Sequence, residues 1–294
     1  MKMQKSKIIK AGKIAGEIKI WIKPKIKKGT PLLEIAELIE NKILELGGSP
    51  AFPVNLSINE YAAHYTPSYN DETLAHGLLK VDFGVEIDGW IADNSFSLDL
   101  ENSRLNQDLI KASEDALKNA EKALSSTTTF GEIGSIIEKT IRNYGFNPVA
   151  NLSGHSMEQY DLHAGITVPN VNNKSENTFE EGLYAIEPFA TNGSGVVHDG
   201  KKGNIFILKK DKNTRLPLGR EILEFIKDSY GYLPFASRWI VKIFGTKGIL
   251  GLNQLENEGI LHQYPILTEE KGKLVSQSEN TFLVEVEKVT NTSK

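Results

Sequence analysis

The 294-residue chain contains no cysteine, which removes disulfides, thiolate metal sites and cysteine nucleophiles from its chemistry. Any metal it holds is held by His, Asp or Glu. Long apolar runs are missing too: nowhere do about 18 apolar residues follow one another, so no segment reads as a membrane span. The N-terminal stretch is basic, but lysines interrupt Ile9, Ile14, Ile18 and Ile22 every few positions, and the hydrophobic region of a secretory signal is absent. The expectation is a cytoplasmic protein without membrane association. No sign of charge is in large excess. A net charge of -4, with 39% hydrophobic and 24% charged residues, describes a soluble globular protein with no global pull toward nucleic acid. The length accommodates one large domain or two ordinary ones.

What is present is an internal repeat. The segment Thr30-Pro-Leu-Leu-Glu-Ile-Ala-Glu-Leu-Ile-Glu has apolar residues at helical spacing, stops at Gly47-Gly48, and is followed by Asn55-Leu56-Ser57. Thr129-Phe-Gly-Glu-Ile-Gly-Ser-Ile-Ile-Glu repeats the pattern, opens on a Thr129/Glu132 capping box, stops at Gly145, and is followed by Asn151-Leu152-Ser153. Further on, Thr73-Leu-Ala-His-Gly77-Leu-Leu-Lys-Val-Asp82 aligns without gaps on Thr178-Phe-Glu-Glu-Gly182-Leu-Tyr-Ala-Ile-Glu187, at a constant offset of 105. Two acids, Asp82 and Glu187, thus hold equivalent places in two halves, each at the end of an apolar strand. A histidine follows each Asn-Leu-Ser: His64 in the first half, His163 in the second. Two half-domains facing each other across a pseudo-twofold axis are expected.

The halves differ in length. Eleven residues separate Asp82 from Asp93, but 92 separate Glu187 from Glu279. The extra stretch has helical patterns at Arg220–Tyr230, Ser237–Phe244 and Ile249–Glu258. The chain therefore reads as one domain over 1–294, with a helical subdomain inserted at approximately 204–266.

Val81-Asp82-Phe-Gly-Val-Glu-Ile-Asp88-Gly89-Trp-Ile-Ala-Asp93 reads as two strands joined by an Asp-Gly turn. A two-residue turn pairs position 84 with 93 and puts 82 on the same face as 84. Asp82 and Asp93 become diagonal neighbours, roughly 7–8 Å apart at the backbone. An acid on a hairpin more often faces solvent. Like charges placed so are costly without cations between them, and Asp82 and Glu187, each ending an apolar strand, have no Arg or Lys at an obvious pairing position, so a metal is the economical partner. His155, in Asn151-Leu-Ser-Gly-His155-Ser-Met, follows a glycine that permits a tight turn. By residue type alone it is more often a hydrogen-bonded core or loop histidine than a ligand. His76 and His198 read as structural or surface residues, and His262 as part of the insertion. An oxygen-rich site with one imidazole suits Mn, Co, Fe(II) or Zn.

These residues fall in motifs similar to those of the type II methionine aminopeptidases in their short archaeal form. The motifs are Pro50-Ala-Phe-Pro-Val-Asn-Leu-Ser, Asn59-Glu-Tyr-Ala-Ala-His64-Tyr-Thr-Pro67, the hairpin from Val81 to Asp93, Gly154-His155-Ser, Leu162-His163-Ala-Gly165, Ala185-Ile-Glu187-Pro-Phe and Ser278-Glu279-Asn-Thr281. The resemblance spans essentially the whole chain. It implies an α/β fold of the pita-bread type, pseudo-symmetric, with the helical subdomain in the second half.

It also implies a dinuclear divalent metal site, with Asp93 and Glu279 bridging two ions, Asp82 completing one coordination sphere, and His155 and Glu187 the other. The implied reaction is hydrolytic removal of the initiator methionine from nascent chains by a water held between the metals. Glu187 helps take its proton, His163 stabilises the oxyanion, and His64 contacts the substrate and assists the leaving amine. Phe52, Leu162, His163 and Tyr264 would form the methionine pocket, although core packing alone would explain Phe52 and Leu162. One departure stands beside a ligand: the family usually has histidine where this chain has Asn280. Implied partners are methionyl peptides and nascent polypeptides, and the chain is expected to be a monomer.

Two other readings stay open. A proline-directed relative of the same fold shares the five-ligand set, although the Ala-Ala-His64-Tyr-Thr-Pro and Leu-His163-Ala-Gly motifs and the long insertion favour the methionine enzyme. A binding module that has lost catalysis would usually lose ligands. Finally, the first 28 residues carry ten lysines against one acid, Glu17. This is a solvated helix face or, alternatively, a patch that touches the ribosome.

Overall fold

Apolar residues recurring every three or four positions give the first helix one buried side: Ile8, Ala11, Ile14, Ala15, Ile18 and Ile22 are all inside. Each fully buried isoleucine of this kind contributes roughly 1.5–3 kcal/mol. In the computed structural model, which describes residues 3–294, α1 (Lys5–Ile22) and α2 (Leu32–Glu45) precede β1 (Ser49–Ile58), β2 (Tyr61–Ala63), β3 (Leu78–Ile87) and β4 (Trp90–Asp99). Strands β1, β3 and β4 form an antiparallel sheet in the order β1-β3-β4, and both helices pack on it through one apolar cluster.

The second half restarts the same order. It runs α3 (Arg104–Ala123), α4 (Phe130–Asn143), β5 (Asn147–Pro148), β6 (Ser153–Met157), β7 (Thr167–Pro169) and β8 (Gly182–Ile186). The chain continues through β9 (Phe189–Thr191), β10 (His198–Leu208), α5 (Pro217–Ser229), β11 (Phe235–Ala236), α6 (Ser237–Phe244), α7 (Lys247–Asn257) and β12 (Leu261–Thr268), ending in β13 (Val275–Gln277), β14 (Asn280–Val284) and β15 (Val289–Asn291). The second sheet has the order β15-β14-β8-β6-β7, so β6-β8-β14 mirrors β1-β3-β4. A matching pair of isolated bridges, Pro31 with Leu74 and Thr129 with Thr178, ties each half's second helix to the approach of its central strand. The Thr129 side chain accepts from Glu132 N while the Glu132 carboxylate accepts from Thr129 N, the expected capping box.

One detail of the repeat is corrected by the sheets. Lys80 pairs with Ser57 and its mate Ala185 pairs with His155. His155 therefore holds the place of Ser57, and the two Asn-Leu-Ser segments are two residues out of register.

The expected helices of the insertion are present as α5, α6 and α7. They close over the β10-β12 strand pair around Phe206, Ile222, Ile226, Phe235, Leu252 and Leu261. The strand pair extends beyond positions 204 and 266 at both ends, and β2 from the first half joins its sheet. A buried ion pair fastens α6 to α2. The Arg238 guanidinium donates to the Glu40 carboxylate, to Thr66 Oγ1 (2.6 Å) and to Pro67 O (2.9 Å), and Trp239 Nε1 donates to Glu40 Oε2 at 2.9 Å. No helix among the described residues is long and apolar enough to cross a membrane.

Candidate metal centre and peptide site

The Asp88-Gly89 turn sets the first part of the site. Both residues have positive φ (48° and 82°), Ile87 pairs with Trp90, and Gly84 pairs with Asp93, the register expected from the sequence. Asp82 faces Ser95, so Asp82 and Asp93 share one face as diagonal neighbours. Asp82 lies in the middle of β3 rather than at a strand end. Glu187 does follow the last residue of β8. Gly84 makes room here, since a Cβ at that position would stand 2.4 Å from the Phe52 ring.

The second half brings His155 on β6, Glu187 after β8 and Glu279 before β14. Gly154 does not form the anticipated turn. It is a strand residue whose bare Cα lets β8 approach: an added Cβ would lie 2.2 Å from Ala185 O. The halves are stitched together beside the acids. Ser95 and Glu279 form an antiparallel bridge, Thr281 Oγ1 accepts from Asp93 N (2.7 Å) and donates to Asp93 O (2.9 Å), and Ser97 Oγ donates to Gln277 O (2.8 Å) and accepts from Gln277 N (2.9 Å).

Ligand-capable atoms of Asp93, His155 and Glu279 lie within 4.8 Å of one another. His155 Nε2 is 3.6 Å from Asp93 Oδ2 and 3.8 Å from Glu187 Oε1. Gln277 Nε2 faces Glu187 Oε2 at 3.3 Å and Glu279 Oε2 at 3.4 Å. Sequence reasoning passed over Gln277, although strand alternation puts it on the face of Glu279, two residues later. Asp82 Oδ1, Asp93 Oδ1 and His155 Nδ1 are buried without a hydrogen-bond partner.

Burial, and then the neighbouring Asp93 carboxylate, hold the Asp82 and Glu187 carboxyls well above the usual range, and Glu279 is raised in the same way. Burial pushes Asp93 up to about 7 and the His155 imidazole down to about 4. Four crowded acids, two of them (Asp82 and Asp93) with an orphaned oxygen, and no Lys or Arg lining the space they face, form a donor set that fits divalent cations.

All ten residues singled out from the sequence, Phe52, His64, Asp82, Asp93, His155, Leu162, His163, Glu187, Tyr264 and Glu279, line one cavity of about 320 Å³. His64 follows β2 with a φ of 66°, a conformation rare for a side-chain-bearing residue. Its Nδ1 donates to Pro265 O at 3.3 Å, since a carbonyl can only accept, which leaves Nε2 as an acceptor in the neutral ring. Its ring meets Tyr264 edge-on at 5.3 Å, and His163 meets His155 edge-on at 4.4 Å. Burial brings His64 down to about 4. His163, open to the cavity mouth, is lowered by desolvation and then by His155. His76, His198 and His262 are exposed and outside the cavity.

Two facing half-domains with an acid-rich cleft between them define a class, and comparison supplies it: the chain belongs to metallopeptidase family M24, whose model matches residues 6–209. It is similar to the methionine aminopeptidase of Methanocaldococcus jannaschii, with 46% identity over 291 residues and 98% of both chains covered. At the level of fold alone it is similar to a thermophilic Arx1 (TM-score 0.84, 15% identity, covering 98% of this chain and 90% of that one) and to the methionine aminopeptidase of Thermotoga maritima (TM-score 0.69, 18% identity, 99% and 98%). The pita-bread fold expected from the motifs is the fold of this chain.

Proposed function

We propose that this chain hydrolyses the first peptide bond of methionyl peptides and newly made polypeptides, releasing the initiator methionine. The observation that carries this reading is the convergence of Asp82, Asp93, His155, Glu187 and Glu279 on one cavity, with buried oxygens that lack partners. Those five would hold two divalent ions, drawn from Co, Mn, Fe(II) or Zn. Bound there, the ions would polarise the scissile carbonyl and acidify a water molecule.

The chain's own residues account for the rest. Asp82 would hold the ion that takes up the substrate's free, unprotonated α-amine, so a chain terminus is selected over an internal peptide bond. Phe52, Leu162 and Tyr264 offer an apolar, aromatic slot for a thioether side chain. Glu187 accepts a proton from the attacking water as the new C–O bond forms, and delivers it to the departing nitrogen as the C–N bond breaks. His163 donates a hydrogen bond to the developing oxyanion. His64, whose Nδ1 proton is committed to Pro265 O, presents Nε2 to the substrate amide N–H and aligns the leaving group.

We also read the chain as a cytoplasmic monomer with a single catalytic domain over 1–294 that carries the insertion at about 204–266. A ribosome contact through the basic N-terminal segment belongs to the same proposal. Lys28 is paired with Glu101, and Lys23 and Lys25 lie over the rings of Phe96 and Trp21, leaving exposed Lys13 and Lys27 as its best candidates. Ribosome co-sedimentation unchanged when Lys13 and Lys27 become Glu would remove that part.

The activity is tested with Met-Gly-Met-Met and an Ala-Pro-led peptide on metal-stripped protein, with and without added Mn or Co. Metal-dependent release of methionine alone is expected. Cleavage only before proline would assign the chain a proline-directed activity, and no cleavage with any metal would make it a binding module.

A further inference from the structure

A second cavity, of about 780 Å³, adjoins the first: Pro234 lines both, and the preceding Leu233 packs in one apolar cluster with Phe52 and Leu162. Its floor is built in advance. Tyr230 stacks on Phe235 (5.1 Å) and tilts against Trp239 (5.5 Å), and the Trp239 indole is held by Glu40. Its rim is the opposite, with Leu44, Tyr160, Tyr232 and Ile243 between 49% and 60% exposed. Four large apolar side chains around one groove are more than scattered surface residues require. The rim's cations are already committed, Lys227 to Asp211 and Lys242 to Glu37, so the groove has no free cation with which to select an acidic partner.

We propose that this groove binds the segment of the substrate downstream of the scissile bond, in extended conformation, roughly from its third residue onward. The assignment rests on the aminopeptidase reading of the first cavity. Continuity is the reason for this occupant: a chain whose first residue is enclosed by Phe52, Leu162 and Tyr264 must leave that cavity, and the groove begins at the shared Pro234. Its chemistry agrees. Aromatic faces and hydroxyls grip a backbone and varied side chains without demanding one sequence, as a substrate with a fixed first residue and variable remainder requires. The α5–β11 connection supplies Tyr230, Tyr232 and Pro234 together, which gives the insertion a role in substrate reach.

The test compares Met-Ala-Ser with a ten-residue peptide of the same start on metal-loaded protein, beside the double variant Tyr232→Ala/Ile243→Ser and the control Leu250→Ser, an exposed position away from the groove. The long peptide should be favoured about tenfold in kcat/KM through a lower KM, and the double variant, unlike the control, should cut that advantage to about twofold. A benzophenone at the fifth peptide position should crosslink to the Tyr230–Ile243 segment. Methionine release with no length advantage and no crosslink there would overturn the groove assignment and leave the proposed activity standing. No release from either peptide would overturn both. Self-association abolished by the double variant would overturn it as well, by making the groove a contact between copies of the chain.

Discussion

Ser95 and Glu279 exchange two backbone hydrogen bonds, at 3.2 and 3.4 Å, at a bridge that joins the sheet of one half to the sheet of the other. Glu279 is one of the five residues proposed to hold metal, so its carboxylate is placed by the docking of the halves. The neighbouring Asp93–Thr281 and Ser97–Gln277 contacts fix the same junction.

Thr281→Val keeps the shape but removes the acceptor for Asp93 N and the donor to Asp93 O. A buried N–H left without a partner costs about 1–3 kcal/mol. Urea unfolding should show that loss, and metal affinity should fall with it because Asp93 is no longer pinned.

Gly154→Ala would drive a methyl group into Ala185 O. Overpacking of this kind costs about 1–3 kcal/mol, and the strand that shifts carries His155. The expected result is weaker metal binding by calorimetry, with little change in far-UV circular dichroism.

Arg238→Met leaves Glu40 buried beneath the insertion without its cation. Breaking a buried pair from one side costs about 3–5 kcal/mol, which a shifted urea midpoint should record. Trp239, held by the same carboxylate, should show altered fluorescence.

Metal stabilisation should grow with pH. Asp93, raised to about 7, binds more protons in the metal-free fold than in the unfolded chain. The stability it contributes is therefore present at acid pH and lost as pH rises through about 7. His64 and His155, lowered to about 4, act the other way: their contribution is present above the ordinary histidine range and lost as pH falls toward about 4. These trends oppose each other in the metal-free protein. A cation must displace the acids' protons, so the gain in Tm on adding metal should be larger at pH 7.5 than at pH 5.5.

Local patterns carried much of this into the sequence. The Asp88-Gly89 turn fixed the Gly84–Asp93 register, and hence the shared face of Asp82 and Asp93, because a two-residue hairpin leaves no freedom. The capping box at Thr129 and the insertion's three helices were legible for the same reason. What escaped depends on contacts distant in the chain. Gly154 looked like a turn residue because its reason for being small is the backbone of Ala185, which no local pattern announces. Gln277 was overlooked because an amide carries no signal of its own, and its meaning comes from facing Glu187 and Glu279. The Arg238–Glu40 pair joins residues 198 positions apart, a separation that no local pattern spans.

The most direct test is methionine release from a methionyl tripeptide by metal-stripped protein titrated with Mn or Co, wild type beside Glu187→Gln. The wild type should be inactive when stripped and recover as metal is added, while the variant, lacking the group that moves the proton, should stay at least about a hundredfold slower at saturating metal. Full activity in the stripped wild type, or a variant as fast as wild type, would contradict the assignment of this cleft as a metal-dependent peptidase site.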